Sequence, residues 1–345
     1  MLRDLVLPTR YLVLAGGKSG DPHFGKTARG VMRYAPEKVV ALLDSERAGE
    51  TEQEFPIVGT VDEALAFNPT TALVGVATAG GRFPPEFREQ IRSCIAQGLD
   101  VENGLHEFLT ADDELVELAR KYKVELRDLR KPPAGLNVST GENLAVPARI
   151  VLTVGTDCAI GKMTVAIELD REARRRGIAS QFVPTGQTGI AIAGWGISVD
   201  AVVADFIAGA TERLVVEGHR RGGELLIVEG QGSLLHPQYS GVTLGLYHGS
   251  APHALVLCLL AGQKYVADDE RFPIPPLREV VELHERTALI ARPARVACIA
   301  LNTRALEEED ARRAIERAEE GSGLPAGDPV RFGSERLVDA LLLAA

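Results

Sequence analysis

Short apolar segments alternate with longer amphipathic segments along the whole chain. In the first half, RYLVLAGG at 10–17 and KVVALLD at 38–44 are typical of buried strands, while 26–34 and 84–97 have helical spacing. In the second half, helical stretches separate the apolar segments RIVLTVG, ELLIVEG, ALVLCLL and RVACIALN. This alternation predicts parallel sheets that are covered by helices.

The segment KPPAGLNVSTGENLAVPARI at 131–150 interrupts the alternation. It holds three prolines and two glycines and has no long apolar period, which is typical of a linker. Because 345 residues exceed the usual size of one domain, a boundary here predicts two domains. We expect an α/β protein with a Rossmann-like N-terminal domain at 1–135 and a P-loop NTPase-like, doubly wound C-terminal domain at 136–345.

Composition and charge argue against several classes of partner. The chain is 45% hydrophobic and 25% charged, and its longest apolar run, 254–262, is far too short to span a membrane, so we expect a cytoplasmic protein without a membrane partner. A net charge of −10 and the lack of a Lys/Arg block with interleaved aromatics argue against nucleic acid as the main partner. The four cysteines lack CxxC spacing, so neither a zinc site nor a disulfide framework is predicted.

A glycine-rich loop follows the first predicted strand of the second domain. The sequence GTDCAIGKMT lies between a strand pattern and a helical segment, a setting in which backbone N–H groups and a helix N-terminus hold phosphate oxygens. The glycines permit a tight turn, and the lysine supplies a positive charge. We expect the cofactor to bind to Gly155, Thr156, Asp157, Ala159, Ile160, Gly161, Lys162, Met163 and Thr164.

The loop departs from the common GxxxxGK[ST] pattern in two ways. It has five residues between its glycines, and Met163 stands where a Ser or Thr hydroxyl normally binds Mg²⁺. The longer loop resembles that of dethiobiotin synthetase and its relatives, but the lysine that those enzymes place before a proline is Val183 here. Asn302 ends a strand where this superfamily often reads adenine, although an asparagine that caps the next helix is an equal alternative.

Four motifs together resemble one family, the DgcN-type D-glutamate N-acetyltransferases: GTDCAIGKMT, FVPTGQTGI, VEGQGSLLHP and GLYHGSAPHALVLC. The likeness covers nearly the whole chain and includes GKTARGVMRY at 25–34 and LRDLRKPP at 126–133. It implies transfer of acetyl from acetyl-CoA to the amino group of D-glutamate, in D-amino-acid catabolism. Acyl transfer from a thioester needs no Mg²⁺, so Met163 suits a loop that holds the diphosphate of acetyl-CoA. We expect acetyl-CoA as co-substrate, ATP with Mg²⁺ as the less favoured alternative, and no resident metal.

Acetylation of an amine needs a base and needs donors for the thioester oxyanion. Glu229 follows an apolar strand at the edge where such sheets bind ligands, and we expect it to act as the base or to orient one. A role beside a Mg²⁺-bound water is an equal alternative for Glu229. Among three histidines near a Gly- and Ser-rich stretch, we select His248 and His253 as catalytic candidates, although structural histidines would give the same pattern.

The two carboxylates of an amino-acid substrate such as D-glutamate favour cationic contacts. We select Arg271, although neighbouring acidic residues of its own loop are the favoured partners of its charge. Polar residues in glycine turns at strand ends are further candidates, namely Thr185, Gln187, Thr188 and Gln231.

The first domain has a weaker signal. LVLAGGKSG with Asp44 at the end of the second strand resembles a dinucleotide fold, but GxGxxG is missing, so we favour a domain that covers the active site or forms a homo-oligomer interface. Two other functions stay open for the whole chain: an ATP-dependent ligase or kinase of dethiobiotin synthetase type, and a regulatory nucleotide-binding module. Met163 and Val183 disfavour the ligase.

Overall fold

A computed structural model describes the chain at residues 9–21, 25–76, 83 and 85–343. The chain forms two compact units: one contains the residues up to 131 together with 187–194, and the other contains 132–186 and the residues from 195 onward. This division differs from the predicted ranges 1–135 and 136–345 by four residues of the linker and by the segment 187–194. Pro84, where the helical pattern begins, lies outside the described residues.

The first unit is an α/β layer structure. Its elements are β1 (Tyr11–Leu14), α1 (Lys26–Tyr34), β2 (Val39–Leu43), β3 (Thr51–Glu52), β4 (Phe55–Val58), α2 (Val61–Ala64), β5 (Thr71–Val74), α3 (Pro85–Ala96), β6 (Asp100–Asn103), α4 (Asp113–Tyr122) and β7 (Leu126–Asp128). Within the described residues, these strands form one seven-stranded sheet in the order β3-β4-β2-β1-β5-β6-β7, and only the short β3–β4 pair is antiparallel. The central strand β1 is buried along its whole length, as expected for a parallel strand with both faces covered.

The second unit repeats the α/β plan. Its elements are β8 (Arg149–Gly155), α5 (Lys162–Arg175), β9 (Ser180–Val183), α7 (Ile207–Arg220), β10 (Leu225–Val228), α8 (Ser240–Ser250), β11 (Ala254–Leu260), α9 (Leu277–Arg286), β12 (Arg295–Asn302), α10 (Glu308–Ser322), β13 (Ala326–Gly327) and α11 (Glu335–Leu343). The strands pair in parallel in the order β13-β12-β11-β8-β10-β9. None of the helices in the described ranges is long and apolar enough to cross a bilayer.

Helix α6 (Gln187–Ala193) belongs to the first unit although it lies in the second half of the sequence. Its Ala191 is fully buried in the same apolar cluster as Tyr11 of β1. The ammonium of Lys38 donates a 2.7 Å hydrogen bond to the carbonyl oxygen of Ile192, near the C-terminal end of the helix. Apolar burial and this charged contact explain why the helix separates from the predicted contiguous C-terminal range.

Strand β8 lies at the centre of the second sheet, between β10 and β11. Six of its seven residues are buried, from Ile150 to Gly155, so the strand is held from both faces. The chain continues from β8 to β9, which lies beyond β10, while β11 lies on the other side. Doubly wound sheets bind ligands at the carboxyl ends of the strands where the strand order reverses, and here the glycine-rich loop follows β8 at that point.

Candidate active site

The glycine-rich loop makes a tight connection between β8 and α5. Gly161, the residue before α5, has a φ of +114°, a backbone conformation that residues with side chains rarely adopt. A Cβ on Gly155 would lie 3.0 Å from the carbonyl oxygen of Cys258 and 2.6 Å from Cδ1 of Ile160. The loop therefore needs Gly161 for its conformation and Gly155 for the close approach of β11.

Lys162 supplies a positive charge at the first position of α5. The side chain is buried, and its Nζ donates a 2.6 Å hydrogen bond to the carbonyl oxygen of Asp157, so the ammonium lies over the loop. The N-terminus of a helix carries partial positive charge and exposes backbone N–H groups. Together the loop, the helix N-terminus and Lys162 form a site suited to a phosphate or a carboxylate group.

Asp157 directs its carboxylate to donors of the protein. Oδ1 accepts a 2.6 Å hydrogen bond from the backbone nitrogen of Cys158, and Oδ2 accepts from Nε2 of Gln263 and from the backbone nitrogen of Ala267, each at 2.6 Å. Sequence reasoning assigned Asp157 to the cofactor and did not select Gln263. The available signal was weak, because it consisted only of the position of Gln263 shortly after β11, the neighbour of β8.

Asp157, Cys158 and His236 bring three types of metal ligand together, with ligand atoms within 4.8 Å of one another. Nε2 of His236 lies 3.9 Å from Oδ1 of Asp157, and Nδ1 of His236 accepts a 3.1 Å hydrogen bond from the backbone nitrogen of Gln238. To bind a metal through Nε2, the neutral ring would have to carry its proton on Nδ1, which would break this hydrogen bond. These contacts favour a hydrogen-bonded cluster. The expectation of no resident metal stays a prediction.

Asn302, the residue predicted to read adenine, holds the loop. Its Nδ2 donates a 3.0 Å hydrogen bond to the carbonyl oxygen of Ile160, and its Oδ1 accepts one of 3.3 Å from the backbone nitrogen of Arg304. Each of these atoms keeps one further hydrogen-bonding position, because the NH₂ group has two donors and the oxygen has two lone pairs. Met163 and Thr164 lie half-buried in the first turn of α5, and the Met163 thioether is not a ligand that Mg²⁺ prefers.

Glu229 lies one residue beyond β10 and is buried. Its Oε2 accepts hydrogen bonds from the backbone nitrogens of Thr185 at 2.9 Å and Gly186 at 3.1 Å, in the turn that follows β9. Nε2 of Gln231 donates to the carbonyl oxygen of Thr185 and, at 3.2 Å, to its hydroxyl. Three of the predicted site residues, Glu229, Thr185 and Gln231, are therefore joined in one polar cluster at the carboxyl edge of the second sheet.

The other predicted substrate-binding residues lie elsewhere. Gln187 and Thr188 begin α6 in the first unit, where the Thr188 hydroxyl lies 3.0 Å from that of Thr27. The Arg271 side chain is 80% exposed and forms a 2.6 Å ion pair with Asp269, which is the alternative that the acidic loop favoured. The structure does not bring Arg271 to the cluster of Glu229.

Of the two histidine candidates, His253 is separate from that cluster. Nδ1 of His253 accepts a 3.0 Å hydrogen bond from the backbone nitrogen of Ile150, at the amino end of β8. At about 3.3 Å per strand residue, this position is about 16 Å from the loop after Gly155. His248 is exposed on α8. The structure therefore does not bring His253 together with Glu229, because the two lie at opposite ends of the parallel strands.

Comparison with known proteins places this site in a family. The model described as "Domain of unknown function (DUF1611_C) P-loop domain" matches residues 137–338, and the DUF1611_N "Rossmann-like domain" matches 44–132. A D-glutamate N-acetyltransferase of Tritonibacter scottomollicae is 36% identical over 341 residues, which are 97% of this chain and 99% of that protein. The chain belongs to the D-glutamate N-acetyltransferase family.

Two further similar proteins match most of the chain. A D-glutamate N-acetyltransferase of a Pseudoalteromonas species is 35% identical over 280 residues, 81% of this chain and 83% of that protein. The crystal structure of a DUF1611 family protein from Anabaena variabilis is 38% identical, has a TM-score of 0.90 and matches 97% of this chain and 99% of that one. The predicted fold class, Rossmann-like plus P-loop, is confirmed, and so is the prediction that the chain is an acyltransferase.

Two titratable groups of this N-acetyltransferase are neutral near pH 7 because they are buried. Burial raises the pKa of the Cys258 thiol, on β11 beside the loop, to about 12. Burial, with a smaller effect from the positive charge of Lys162, lowers the pKa of His284 to about 3. Nδ1 of His284 lies 2.5 Å from the hydroxyl oxygen of Tyr247. We therefore treat both groups as structural rather than as the base of the transfer reaction.

Proposed function

We propose that this protein transfers the acetyl group of acetyl-CoA to the amino group of D-glutamate. The amine nitrogen attacks the thioester carbonyl carbon, a C–N bond forms, the C–S bond breaks, and coenzyme A leaves as the thiol with the proton that the amine gives up. The product, N-acetyl-D-glutamate, would enter a catabolic route for D-amino acids. The observation that carries the proposal is a loop suited to an anion, with Lys162, in a chain that matches a D-glutamate N-acetyltransferase over 97% of its own length and 99% of that protein's.

The loop between β8 and α5 is our proposed site for the diphosphate of coenzyme A. The Lys162 ammonium now bonds the carbonyl oxygen of Asp157, and it can turn from this neutral acceptor to a phosphate oxygen, with which its attraction is stronger. Met163 fits a loop that binds a diphosphate without splitting it, because the hydroxyl that would hold Mg²⁺ for phosphoryl transfer is missing at this position. This residue disfavours the alternative of an ATP-dependent ligase.

The length of coenzyme A restricts where chemistry can occur. The pantetheine arm separates the diphosphate from the thioester by far more than a hydrogen-bond distance, so a loop that holds the diphosphate cannot also hold the reacting carbonyl.

Glu229 already accepts two backbone hydrogen bonds from the turn at 185–186. We therefore propose that Glu229 stabilises this turn, which carries the substrate candidate Thr185, rather than taking the proton of the amine.

The test is an end-point measurement of thiol release from acetyl-CoA. The purified protein is incubated with D-glutamate, L-glutamate or D-aspartate, and mass spectrometry identifies the acetylated product. We expect thiol release that depends on D-glutamate and a product heavier by one acetyl group. Stoichiometric ATP hydrolysis that depends on D-glutamate, or the absence of thiol release with every amino acid, would overturn the proposal.

A further inference from the structure

The proposed diphosphate site contains a carboxylate, which is unexpected because like charges repel. Asp157 lies inside the loop, between Gly155 and Gly161, and its carbonyl oxygen already accepts a hydrogen bond from the Lys162 ammonium. A buried carboxylate beside a bound anion costs Coulomb energy unless donors of the protein compensate its charge. Its three N–H donors, each at 2.6 Å, supply that compensation and draw the carboxylate toward protein.

From these contacts we infer that Asp157 is a positioning residue. Its carboxylate holds the phosphate loop in its binding conformation and fastens the segment 263–267 to the loop, without touching the bound anion itself. The identity of the anion rests on the proposed function. The positioning role does not, since it follows from contacts within the protein.

The segment that Asp157 fastens needs external support. Ala267 and Asp268 have φ values of +54° and +56°, a left-handed conformation that is unfavourable for residues other than glycine. Such backbone persists only where surrounding contacts determine it. The backbone nitrogen of Ala267 donates to Oδ2 of Asp157, and the Gln263 amide that donates to the same oxygen also donates, at 3.0 Å, to the carbonyl oxygen of Tyr265. One carboxylate thus supports the segment at both ends.

The contacts of Asp157 require a carboxylate and not an amide. Each of its oxygens accepts from a backbone N–H, Oδ1 from Cys158 and Oδ2 from Ala267. In asparagine one of the two positions becomes an NH₂ donor, so in either orientation at least one backbone N–H would face another donor. The substitution Asp157→Asn preserves shape but breaks one link, either to the apex of the loop or to the segment 263–267.

The chain offers a matched control for this substitution. Glu212 is a buried carboxylate of the same unit that likewise accepts hydrogen bonds from the protein. Its donors are the hydroxyls of Ser139 and Thr140 and the backbone nitrogens of Thr140 and Gly141, at 2.7–2.9 Å. These four hydrogen bonds join Glu212 to residues 139–141 of the linker, and none of them involves the phosphate loop. Glu212→Gln therefore has the same chemical change, and a comparable loss of stability is expected from it.

The experiment compares wild type, Asp157→Asn and Glu212→Gln in two measurements. Hydrogen–deuterium exchange, without any ligand, follows the peptides that cover 155–162 and 263–268. We expect the peptide on the side of the broken link, 155–162 or 263–268, to exchange faster in Asp157→Asn, and neither peptide to change in Glu212→Gln. Calorimetric titration with coenzyme A then gives its Kd, which we expect to rise about tenfold or more in Asp157→Asn, because the loop is no longer held in its binding conformation, and to stay within about twofold of wild type in the control.

Kinetics provides the readout that a purely structural role would not move. Asp157→Asn should raise KM for acetyl-CoA while kcat changes little, because the loop binds a part of the substrate that does not react. Unchanged exchange of the two peptides, or a Kd as in wild type despite a lower Tm, would overturn the inference. A wild-type protein that neither binds coenzyme A nor releases thiol would instead overturn the proposed function, and the exchange data would still decide the role of Asp157.

Discussion

Glu229 and Thr185 are joined by two reciprocal hydrogen bonds, each between the side chain of one residue and the main chain of the other. Oε2 of Glu229 accepts from the backbone nitrogen of Thr185 at 2.9 Å, while the hydroxyl of Thr185 donates to the carbonyl oxygen of Glu229 at 2.7 Å. The pair joins the end of β10 to the turn after the neighbouring strand β9, and both residues are buried. The Glu229 carboxylate therefore fixes the shape of the sheet edge that carries the predicted substrate-binding residue Thr185.

Glu229→Gln should therefore be a mild change. The glutamine oxygen can still accept from both backbone nitrogens, so we expect acetylation within about threefold of wild type, whereas Glu229→Ala leaves two buried N–H groups unpaired at about 1–3 kcal/mol each. Initial rates of thiol release and Tm of both variants test this. Loss of a general base costs about 10²- to 10⁴-fold in rate, and a drop of that size in Glu229→Gln at unchanged Tm would restore the catalytic role.

Lys162→Ala should remove the binding of coenzyme A. The ammonium is the buried cation of the proposed diphosphate site, and losing a charge-assisted contact to phosphate should weaken affinity about tenfold or more. The measurement is the rise in Tm with increasing coenzyme A, which depends on ligand concentration relative to Kd. Lys121→Ala, at an exposed position of α4, is the control. An undiminished Tm shift in Lys162→Ala would exclude the loop as the site.

Chelation should leave the reaction intact. Met163 offers no hydroxyl for Mg²⁺, and in the cluster of Asp157, Cys158 and His236 the carboxylate and Nδ1 of the imidazole accept hydrogen bonds from the backbone. We expect the acetylation rate in EDTA to stay within about twofold of the untreated rate, since thioester aminolysis depends on proton transfer and oxyanion stabilisation. Metal content before chelation is measured by mass spectrometry. A stoichiometric metal whose removal stops the reaction would contradict this expectation.

The buried imidazole of His284 should make stability fall at acid pH. Its pKa of about 3 in the folded protein lies below about 6.5 in the unfolded chain, so the unfolded state takes up the proton first as pH falls. This contribution to stability is complete above pH 6.5 and is lost toward pH 3, by about 2 kcal/mol between pH 6.5 and 5.

Urea unfolding at these two pH values tests the prediction for His284. His284→Phe should remove about that part of the pH dependence, whatever its stability at neutral pH. Tyr247→Phe removes the hydroxyl that lies 2.5 Å from Nδ1 but retains the imidazole, so its pH dependence should resemble that of wild type. If the free energy of unfolding changes equally between the two pH values in wild type and His284→Phe, the imidazole does not titrate in this way.

Gly230→Ala should destabilise the edge of the second sheet. A Cβ at Gly230 would lie 1.6 Å from the carbonyl oxygen of Thr153, so β8 and the chain after β10 must separate, at about 3 kcal/mol or more. Gly241, in the first turn of α8, has no neighbouring atom within 4 Å of the added carbon, and Gly241→Ala should be neutral or slightly stabilising. The midpoints of urea unfolding are measured for both variants. Equal midpoints for Gly230→Ala and Gly241→Ala would contradict this prediction.

The sequence by itself determined the class of fold and the place of the proposed anion site. Apolar runs of strand length, separated by helical periods, dictate parallel sheets because both faces of each strand must be covered. The glycines and lysine of GTDCAIGKMT determine the conformation and charge of a few neighbouring residues, so their role can be predicted from the local sequence. The rule that ligands bind at the carboxyl edge of such sheets also predicted Glu229 and Thr185, each at a strand end, as candidates.

Only the tertiary structure decided what depends on contacts between distant parts of the chain. The partners of Asp157, Gln263 and Ala267, lie 106 and 110 positions later, and nothing in their local sequence marks them as donors to the loop. Likewise, α6 packs in the first unit, and His253 lies at the amino end of β8 rather than beside Glu229. Periodicity records which face of an element is buried, but strand order and long-range donors are set by the packing of the whole unit.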